Sequence, residues 1–216
     1  MSSSLPSTRR AVVTTGKGQV AVQDVRLPTP GEGELVVRTA AVGLNPTDWK
    51  SLELAPAIGA VIGVDFAGEV VQLGPNVSEF KVGDKVTGFV HGSVASDHDF
   101  GAFAEYVLAY DHLLAVLPET MSWAQGATLG VGITTVGQAL GQALRLPLPS
   151  PVRSPPSRLH SNRTLLVYAG HTATGSLAVQ LARMSGVRVI TTCSSEKFSL
   201  MRALGAEQVF DYVRFR

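Results

Sequence analysis

The hydrophobic pattern of this chain changes its period part-way along the sequence, and this change constrains the fold more than any other feature. Up to about residue 110, the apolar runs are short and are separated by turns rich in glycine and proline, such as Pro28–Gly33. Short strands at such spacing are typical of an antiparallel barrel or sandwich. The predicted strands are Arg10–Thr15, Val20–Arg26, Glu34–Gly43, Val61–Leu73, Lys81–Val90 and Ala102–Ala109.

Helical signals begin after about Thr120. Ser122–Gln125 has the S-x-x-Q form of a capping box, and Gly132–Leu144 is also predicted to be helical. Leu146–Asn162 holds five of the twelve prolines and is predicted to be a loop. Strands and helices then alternate, as in half of a doubly wound nucleotide-binding sheet. They are predicted at Thr164–Ala169 (strand), Thr174–Ser185 (helix), Val187–Thr192 (strand), Glu196–Leu204 (helix) and Glu207–Asp211 (strand).

These patterns divide the chain into four parts. We expect a β-barrel domain at 1–120, connecting helices at 121–145, a proline-rich loop at 146–162 and the first half of a nucleotide-binding domain at 163–216. The predicted fold is therefore a two-domain chain, an antiparallel β-barrel followed by a partial doubly wound parallel sheet.

Composition excludes several classes of function. A net charge of +1, with scattered lysines and arginines, gives no reason to expect nucleic acid or membrane partners. The single cysteine, Cys193, allows no intramolecular disulfide and no four-cysteine zinc site. Met1–Arg10 lacks the apolar core of a signal peptide and no apolar run approaches about 20 residues, so we expect neither a signal peptide nor a spanning helix. We expect a cytoplasmic monomer.

The segment between the first strand and first helix of the alternating region resembles a phosphate-binding turn. Gly170 and Gly175 occupy the outer positions of a G-x-G-x-x-G pattern, and Thr172 replaces the middle glycine. Small residues there let backbone amides approach a pyrophosphate, although such a turn can also be purely structural. The candidate cofactor-binding residues are Gly170, His171, Thr172, Ala173, Thr174 and Gly175.

The end of the second strand of this region indicates which nucleotide binds. An NAD site has an acidic residue at the strand end, whereas this chain has Thr192, Cys193, Ser194 and Ser195 there, and only then Glu196 and Lys197. Hydroxyls, helix-start amides and a lysine suit a 2′-phosphate, so the pattern favours NADPH over NADH. The alternative is that a serine merely caps the helix and Lys197 is solvated.

Motifs in the first half identify a family. Gly63–Val71, Gly74–Val77, Val82–Val86 and Gly101–Tyr106 resemble the medium-chain dehydrogenases/reductases. The resemblance implies a GroES-like barrel, a Rossmann domain and an active site in the cleft between them. It also implies that the chain is zinc-free, because Asn45, Val64 and Val131 stand where zinc-dependent members have ligands. The cluster Asp97–Asp99 lacks a fourth ligand, so no metal is expected there.

A closer resemblance is to fungal trans-acting enoyl reductases of polyketide biosynthesis, of the lovastatin-pathway type. Its motifs are Asn45–Lys50, Gly132–Thr135, Leu146–Pro151, Thr172–Thr174, Thr192–Ser194 and Val209–Tyr212. Besides the turn and the serines already named, the residues that it implies for NADPH are Thr47, Asp48, Trp49, Lys50 and Tyr212. The residues that it implies for the acyl substrate are Gly132, Ile133, Thr134, Thr135, Val136, Gly137, Gln138 and Ala139.

The predicted chemistry is reduction of an α,β-unsaturated thioester carried on a partner polyketide synthase. Without a Lewis acid, adding hydride to a conjugated C=C is easier than reducing an isolated ketone, because the charge spreads into an enolate. Lys50 and Thr135 are the candidate catalytic residues that polarise or position the substrate. Alternatively, Lys50 pairs with Asp48 or reaches a cofactor phosphate, and Thr135 only caps or packs.

Two other functions stay open, a general quinone or enone reductase and a non-catalytic remnant that binds nucleotide weakly. The chain resembles a family member truncated at its C-terminus, with only three of the six strands of a dinucleotide fold. We therefore expect the 216-residue product by itself to have little or no reductase activity.

Overall fold

The computed structural model describes residues 5–147, 149 and 163–212. The chain forms two compact units, Met1–Val131 and Gly132–Arg216, which are described separately below. Most of the predicted proline-rich loop, residues 148 and 150–162, lies outside the described residues.

The first unit is built on antiparallel strands. Five of them form one sheet in the order β6-β3-β4-β5-β7, and β1 and β2 form a separate ribbon. The strands are β1 (Thr8–Gly16), β2 (Gln19–Arg26), β3 (Glu34–Gly43), β4 (Asp65–Leu73), β5 (Lys85–Phe89), β6 (Tyr106–Tyr110) and β7 (Leu114–Val116). The other edge of β1 is also paired, since Val12 N donates to Phe103 O (2.8 Å) and Val12 O accepts from Ile62 N (3.0 Å). The predicted antiparallel β architecture is confirmed.

The larger apolar cluster of this unit is built on the five-stranded sheet, and a smaller one lies around Ala11 and Val13. The interior strand β3 is buried on both faces in its first part, where Leu35, Val36 and Val37 are all fully enclosed. Phe66 and Val107 from the two neighbouring strands pack into the same cluster. Burying large aliphatic and aromatic side chains is the main force that holds such a sheet together.

The first unit also contains helices, of which one was not predicted. Helix α1 (Pro46–Leu54) follows β3 directly, and α2 (Trp123–Gly126) comes after the sheet. Helix α3 (Gly130–Gly137) begins in this unit, and its residues from Gly132 onward belong to the second unit. The predicted capping box of α2 is confirmed: Gln125 N donates to Ser122 Oγ (3.2 Å) and Ser122 N donates to Gln125 Oε1 (2.9 Å).

The second unit is an α/β layer. Helix α3 runs on into a π-helical turn, Gln138–Ala143. The remaining elements are β8 (Thr164–Val167), α4 (Ala173–Met184), β9 (Arg188–Cys193), a 3₁₀ turn (Ser195–Lys197), α5 (Phe198–Ala203) and β10 (Gln208–Asp211). The three strands pair in parallel in the order β10-β9-β8. The predicted β-α-β-α-β half of a doubly wound sheet is confirmed.

The apolar spacing of α4 predicts a stripe of Leu177, Leu181 and Met184, and the buried stripe differs from it: Leu177 and Leu181 are only partly buried against the core. Gly175, Val179 and Ala182 face the core, whereas Met184 is 53% exposed. The small residues at i, i+4 and i+7 bring the helix close to the sheet. The chain then turns at Gly186, whose φ of 76° suits a helix C-terminus.

Candidate functional site

A buried polar network lies where β3 leads into α1. The Asp65 carboxylate accepts two hydrogen bonds, from Asn45 Nδ2 (2.8 Å) and from Val131 N (2.6 Å). Asp48 Oδ2 accepts from Asn45 N (2.7 Å) and so caps the start of α1, with Pro46 at its first position. Asp65 is 2% exposed and Asp48 is 8% exposed.

Burial dominates the electrostatics of both carboxyl groups. It raises the pKa of Asp65, against the opposing effect of the Val131 amide and the Asn45 side chain. It also raises the pKa of Asp48, and the nearby Asp65 charge acts in the same direction. The Asn45 and Val64 amides oppose that shift. Asp48 Oδ1 is buried and has no hydrogen-bond partner among the described residues.

These residues do not fit a catalytic zinc ion. Asn45 offers an amide that is engaged with Asp65, and Val64 has no donor atom. Zinc prefers thiolate and imidazole ligands, which this network lacks. Within residues 5–147, 149 and 163–212, no group of three or more His, Cys, Asp or Glu side chains could hold a metal ion.

Helix α1 carries the candidate residues Thr47, Asp48, Trp49 and Lys50. Asp48 faces inward, whereas Thr47, Trp49 and Lys50 are exposed. The Lys50 ammonium lies 5.7 Å from the centroid of the Trp49 ring, within cation–π range. In the described part of the chain, Lys50 makes no salt bridge with Asp48.

The second unit contains the candidate phosphate turn, between β8 and α4. The Thr172 hydroxyl is the N-cap of α4: it accepts from Gly175 N (3.1 Å) and donates to Ala169 O (3.0 Å). The amides of Ala173 and Thr174 in the first helical turn have no acceptor within the helix. They can therefore bind an anion.

Both glycines of the turn are required by close packing. A Cβ at Gly170 would collide with the Thr191 hydroxyl. A Cβ at Gly175 would lie 2.6 Å from Ala169 O and 2.9 Å from Gly170 Cα. The turn is thus a narrow backbone cradle of the kind that a pyrophosphate needs. Thr172 has an ordinary φ of −72°, so the middle position does not require glycine.

An aromatic pair borders this turn. The ring of His171 stacks on that of Tyr212, with centroids 6.1 Å apart and planes 20° from parallel. His171 Nδ1 is buried and finds no hydrogen-bond partner in the described part of the chain. The structure therefore brings together two candidate cofactor residues that are 41 positions apart in sequence.

The end of β9 carries the hydroxyl-rich segment. Ser194 precedes the 3₁₀ turn without making a side-chain capping bond, and Ser195 and Glu196 are exposed. Lys197 Nζ lies 3.7 Å from Glu196 Oε1 in a surface ion pair, which is a weak interaction. The Thr192 hydroxyl accepts from Ala169 N (3.0 Å) and thereby joins the end of β9 to the phosphate turn.

The candidate substrate residues form one continuous helical segment. Gly132 to Gly137 belong to α3, and Gln138 and Ala139 begin the π-helical turn. Val136 is buried in the core of the second unit, whereas Ile133, Thr135, Gln138 and Ala139 are exposed. Thr135 thus lies at the surface of this unit.

Comparison with known proteins places the chain in a family. The family model of the alcohol dehydrogenase GroES-like domain matches residues 31–119. Trans-enoyl reductase resD of Aspergillus sclerotiorum is 46% identical, over 94% of this chain and 59% of that protein. Trans-enoyl reductase TOXD of Cochliobolus carbonum is 45% identical, over 94% of this chain and 67% of that protein. The chain belongs to the trans-enoyl reductase family.

A solved structure shares the fold of this trans-enoyl reductase chain. The quinone oxidoreductase of Coxiella burnetii superposes with a TM-score of 0.75 at 28% identity, over 96% of this chain and 63% of that chain. The chain spans about three fifths of the length of the curated relatives that it matches. In the described residues, no helix combines the length and apolar character that crossing a bilayer requires.

Sequence reasoning about this trans-enoyl reductase chain missed the role of Asp65. The residue is part of the Gly63–Val71 motif but was not a candidate site residue. Its position directly after Val64, where zinc-dependent relatives are expected to place a ligand, was the available signal. An acid that begins a buried strand needs hydrogen-bond donors, and the sequence does not show where they come from.

Proposed function

We propose that the protein containing this chain is an NADPH-dependent trans-acting enoyl reductase that reduces the α,β-unsaturated thioester of a polyketide intermediate. One observation carries the cofactor half of the proposal. A tight glycine turn and the first amides of α4 lie beside the end of β9, to which Ala169 N and the Thr192 hydroxyl connect them. The residues that directly follow this strand are the serines Ser194 and Ser195, and the first acid, Glu196, comes only after them. The names of the relatives support the reaction class.

The second unit holds the diphosphate and adenosine part of NADPH in this proposal. Gly170 to Gly175 surround the pyrophosphate, with the amides of Ala173 and Thr174 as donors. Ser194, Ser195 and Lys197 bind the 2′-phosphate, where an acidic residue would repel it. Glu196 orients Lys197, and the His171–Tyr212 stack borders the nucleotide.

The first unit and α3 supply the groups around the reacting atoms. When bound, NADPH would supply a hydride to the β-carbon of the enoyl group, and a water molecule would supply the proton to the α-carbon. The charge that develops on the thioester oxygen between these steps needs a hydrogen-bond donor. Lys50 and Thr135 are the proposed donors, since both are exposed and neither needs a metal to act. Thr47, Asp48 and Trp49 hold the α1 end of the cofactor site, and residues 132–139 face the acyl chain.

The reaction is tested with the full-length protein that contains these residues. Consumption of NADPH is followed with a crotonyl or longer enoyl thioester of pantetheine, and with a quinone in parallel. Preference for the thioester supports the proposal; preference for the quinone would establish the general reductase instead. Turnover that requires added zinc would contradict a zinc-free mechanism.

Variants assign the residues. Lys50→Met is expected to lower kcat with the thioester, because a donor at the thioester oxygen is lost. Lys81→Met, a change of the same kind at an exposed turn, is the matched control and is expected to have no effect. Equal activity of the Lys50 and Lys81 variants would remove Lys50 from the proposal.

The cofactor preference has its own test. The Kd values of NADPH and NADH are measured by fluorescence titration for the wild type and for Lys197→Ala. The variant is expected to lose affinity for NADPH roughly 10-fold and to keep its affinity for NADH, because a charge-assisted bond to phosphate contributes about 1.5 kcal/mol or more. Equal losses for the two nucleotides would contradict a 2′-phosphate contact.

A further inference from the structure

Asp65 lies at the meeting point of three segments of the first unit. It begins β4, where it pairs with Gly43 at the end of β3 and with Phe89 at the end of β5. Its two carboxylate oxygens are used separately, Oδ2 by the Asn45 side chain and Oδ1 by the Val131 amide. The carboxylate therefore connects the residue before α1 with the first turn of α3.

Two glycines make this convergence possible. A Cβ at Gly130 would lie 2.5 Å from Asp65 Oδ1 and 2.5 Å from Gly88 O. A Cβ at Gly43 would lie 3.0 Å from the Asp65 Cβ and would collide with Ala127 O. The backbone at Gly43 and the backbone at Gly130 thus both pack closely against Asp65, so its carboxylate has little freedom to move.

We infer that Asp65 is a positioning residue that fixes the start of α1 and the segment Gly130–Val131, with which α3 begins, relative to each other within the first unit. This inference rests on the proposed function, in which α1 carries Thr47 to Lys50 for the cofactor and α3 leads into the substrate segment. Asp65 itself is not proposed to contact the cofactor or the substrate. It acts through Asn45 and Val131.

Hydrogen-bond chemistry explains why an ionised acid is needed here. Asn45 Nδ2 and Val131 N are both donors, so residue 65 must offer two acceptors. The α3 amide also lies at the positive end of a helix, which favours a negative charge. An apolar residue would leave both donors buried without partners, and an asparagine would turn an N–H group toward one of them.

The same chemistry predicts a rescue. In Asn45→Asp, two carboxylates face each other in a buried site, which is unfavourable. In the double variant Asn45→Asp with Asp65→Asn, the new amide group at position 65 donates to the new carboxylate at position 45. The amide oxygen at position 65 still accepts from Val131 N. The swapped pair therefore keeps both hydrogen bonds and the single negative charge.

Hydrogen exchange of the purified protein tests the positioning directly. Exchange is measured in peptides covering 45–54 and 128–137. Asp65→Asn is expected to accelerate exchange in both peptides by roughly 10-fold or more, the equivalent of one lost buried hydrogen bond to a charged group. Asn45→Asp is expected to have a larger effect, and the double variant is expected to return to within about 3-fold of the wild type.

The control is Asp84→Asn. This substitution also removes a carboxylate that accepts a hydrogen bond from a backbone amide, that of Lys81 (2.9 Å), but the bond lies in a surface turn. It is expected to leave exchange in both peptides unchanged. If Asp65→Asn fails to fold, the inference is tested by comparing the exchange rates of Asn45→Asp with those of the double variant. A double variant no better than Asn45→Asp, or an Asp65→Asn protein that exchanges like the control, would overturn the inference.

Kinetics separate positioning from general stability. In the full-length protein, Asp65→Asn is expected to raise KM for NADPH and lower kcat together, and the double variant is expected to restore both. A purely structural role would lower the amount of active protein without changing KM. If the wild type shows no enoyl reduction, the proposed function fails, whereas the exchange experiment still decides the role of Asp65.

Discussion

Replacing Gly175 by alanine tests the architecture of the phosphate turn. The new Cβ would lie 2.6 Å from Ala169 O, 2.8 Å from Thr172 Oγ1 and 2.9 Å from Gly170 Cα. Cβ atoms in proteins essentially never approach other heavy atoms within 3.0 Å, so Ala169 O must move by about 0.4 Å. Two of the three crowded atoms belong to the backbone, and a side-chain rotation cannot relieve them.

The expected magnitude combines three effects. Overpacking costs about 1 to 3 kcal/mol. Displacing the Thr172 hydroxyl from the Gly175 amide costs about 1 kcal/mol more, because the N-cap is weakened. Alanine is a better helix former than glycine by roughly 0.5 to 1 kcal/mol, which offsets part of this loss. We expect Gly175→Ala to destabilise the second unit by about 1 to 3 kcal/mol.

Gly137→Ala is the matched control. Gly137 has helical dihedral angles and nothing lies within 4 Å of its added Cβ. The substitution is therefore expected to stabilise the same unit, by about 0.4 to 1 kcal/mol. The same glycine-to-alanine change is thus expected to destabilise the second unit at Gly175 and to stabilise it at Gly137.

Hydrogen exchange of β8 and β9 measures both effects, and peptides from the first unit serve as an internal reference. Gly175→Ala is expected to accelerate exchange roughly 5- to 160-fold, and Gly137→Ala is expected to slow it. Exchange that is unchanged or slower in Gly175→Ala would refute the close packing of the turn.

Two further predictions follow from the capping and the buried acids. Thr172→Ala is expected to destabilise the second unit by about 0.5 to 2 kcal/mol, whereas Thr172→Ser, which keeps the hydroxyl, is expected to change exchange of α4 very little. Because the folded-state pKa of Asp48 is raised, its contribution to stability is largest below about pH 4 and is lost as pH rises through the folded pKa. The free energy of unfolding of the wild type, measured by urea titration, should therefore fall relative to that of Asp48→Asn as pH rises from about 4 through the folded pKa; a constant difference would contradict the raised pKa.

The sequence predicted the regular elements because their signals are local. The Ser122 capping box, the glycine after α4 and the apolar runs of β8 and β9 each appear within a few neighbouring residues. The start of β4 was placed too early, at Val61 instead of Asp65, because Val61 is buried and makes only an isolated bridge with Val13. A buried apolar residue outside a ladder has the same sequence pattern as one inside it.

The candidate site was less predictable because its contacts are distant in sequence. Helix α1 was missed although Pro46 and Asp48 are start signals, since its nine residues carry only a weak apolar stripe. The bond between Asp65 and Val131 spans 66 positions. Sequence spacing gives the residue types at such a site but not which donor reaches which acceptor.

The hydroxyl at the middle of the dinucleotide fingerprint has a consequence for recognising distant homologues. Only at the two outer positions does close packing exclude a side chain. The residue at the central position is the N-cap of the helix, a role that any short hydrogen-bonding side chain can fill. A search that demands three glycines therefore rejects functional turns of this kind. A pattern of two glycines enclosing a serine, threonine, asparagine or aspartate would retain them.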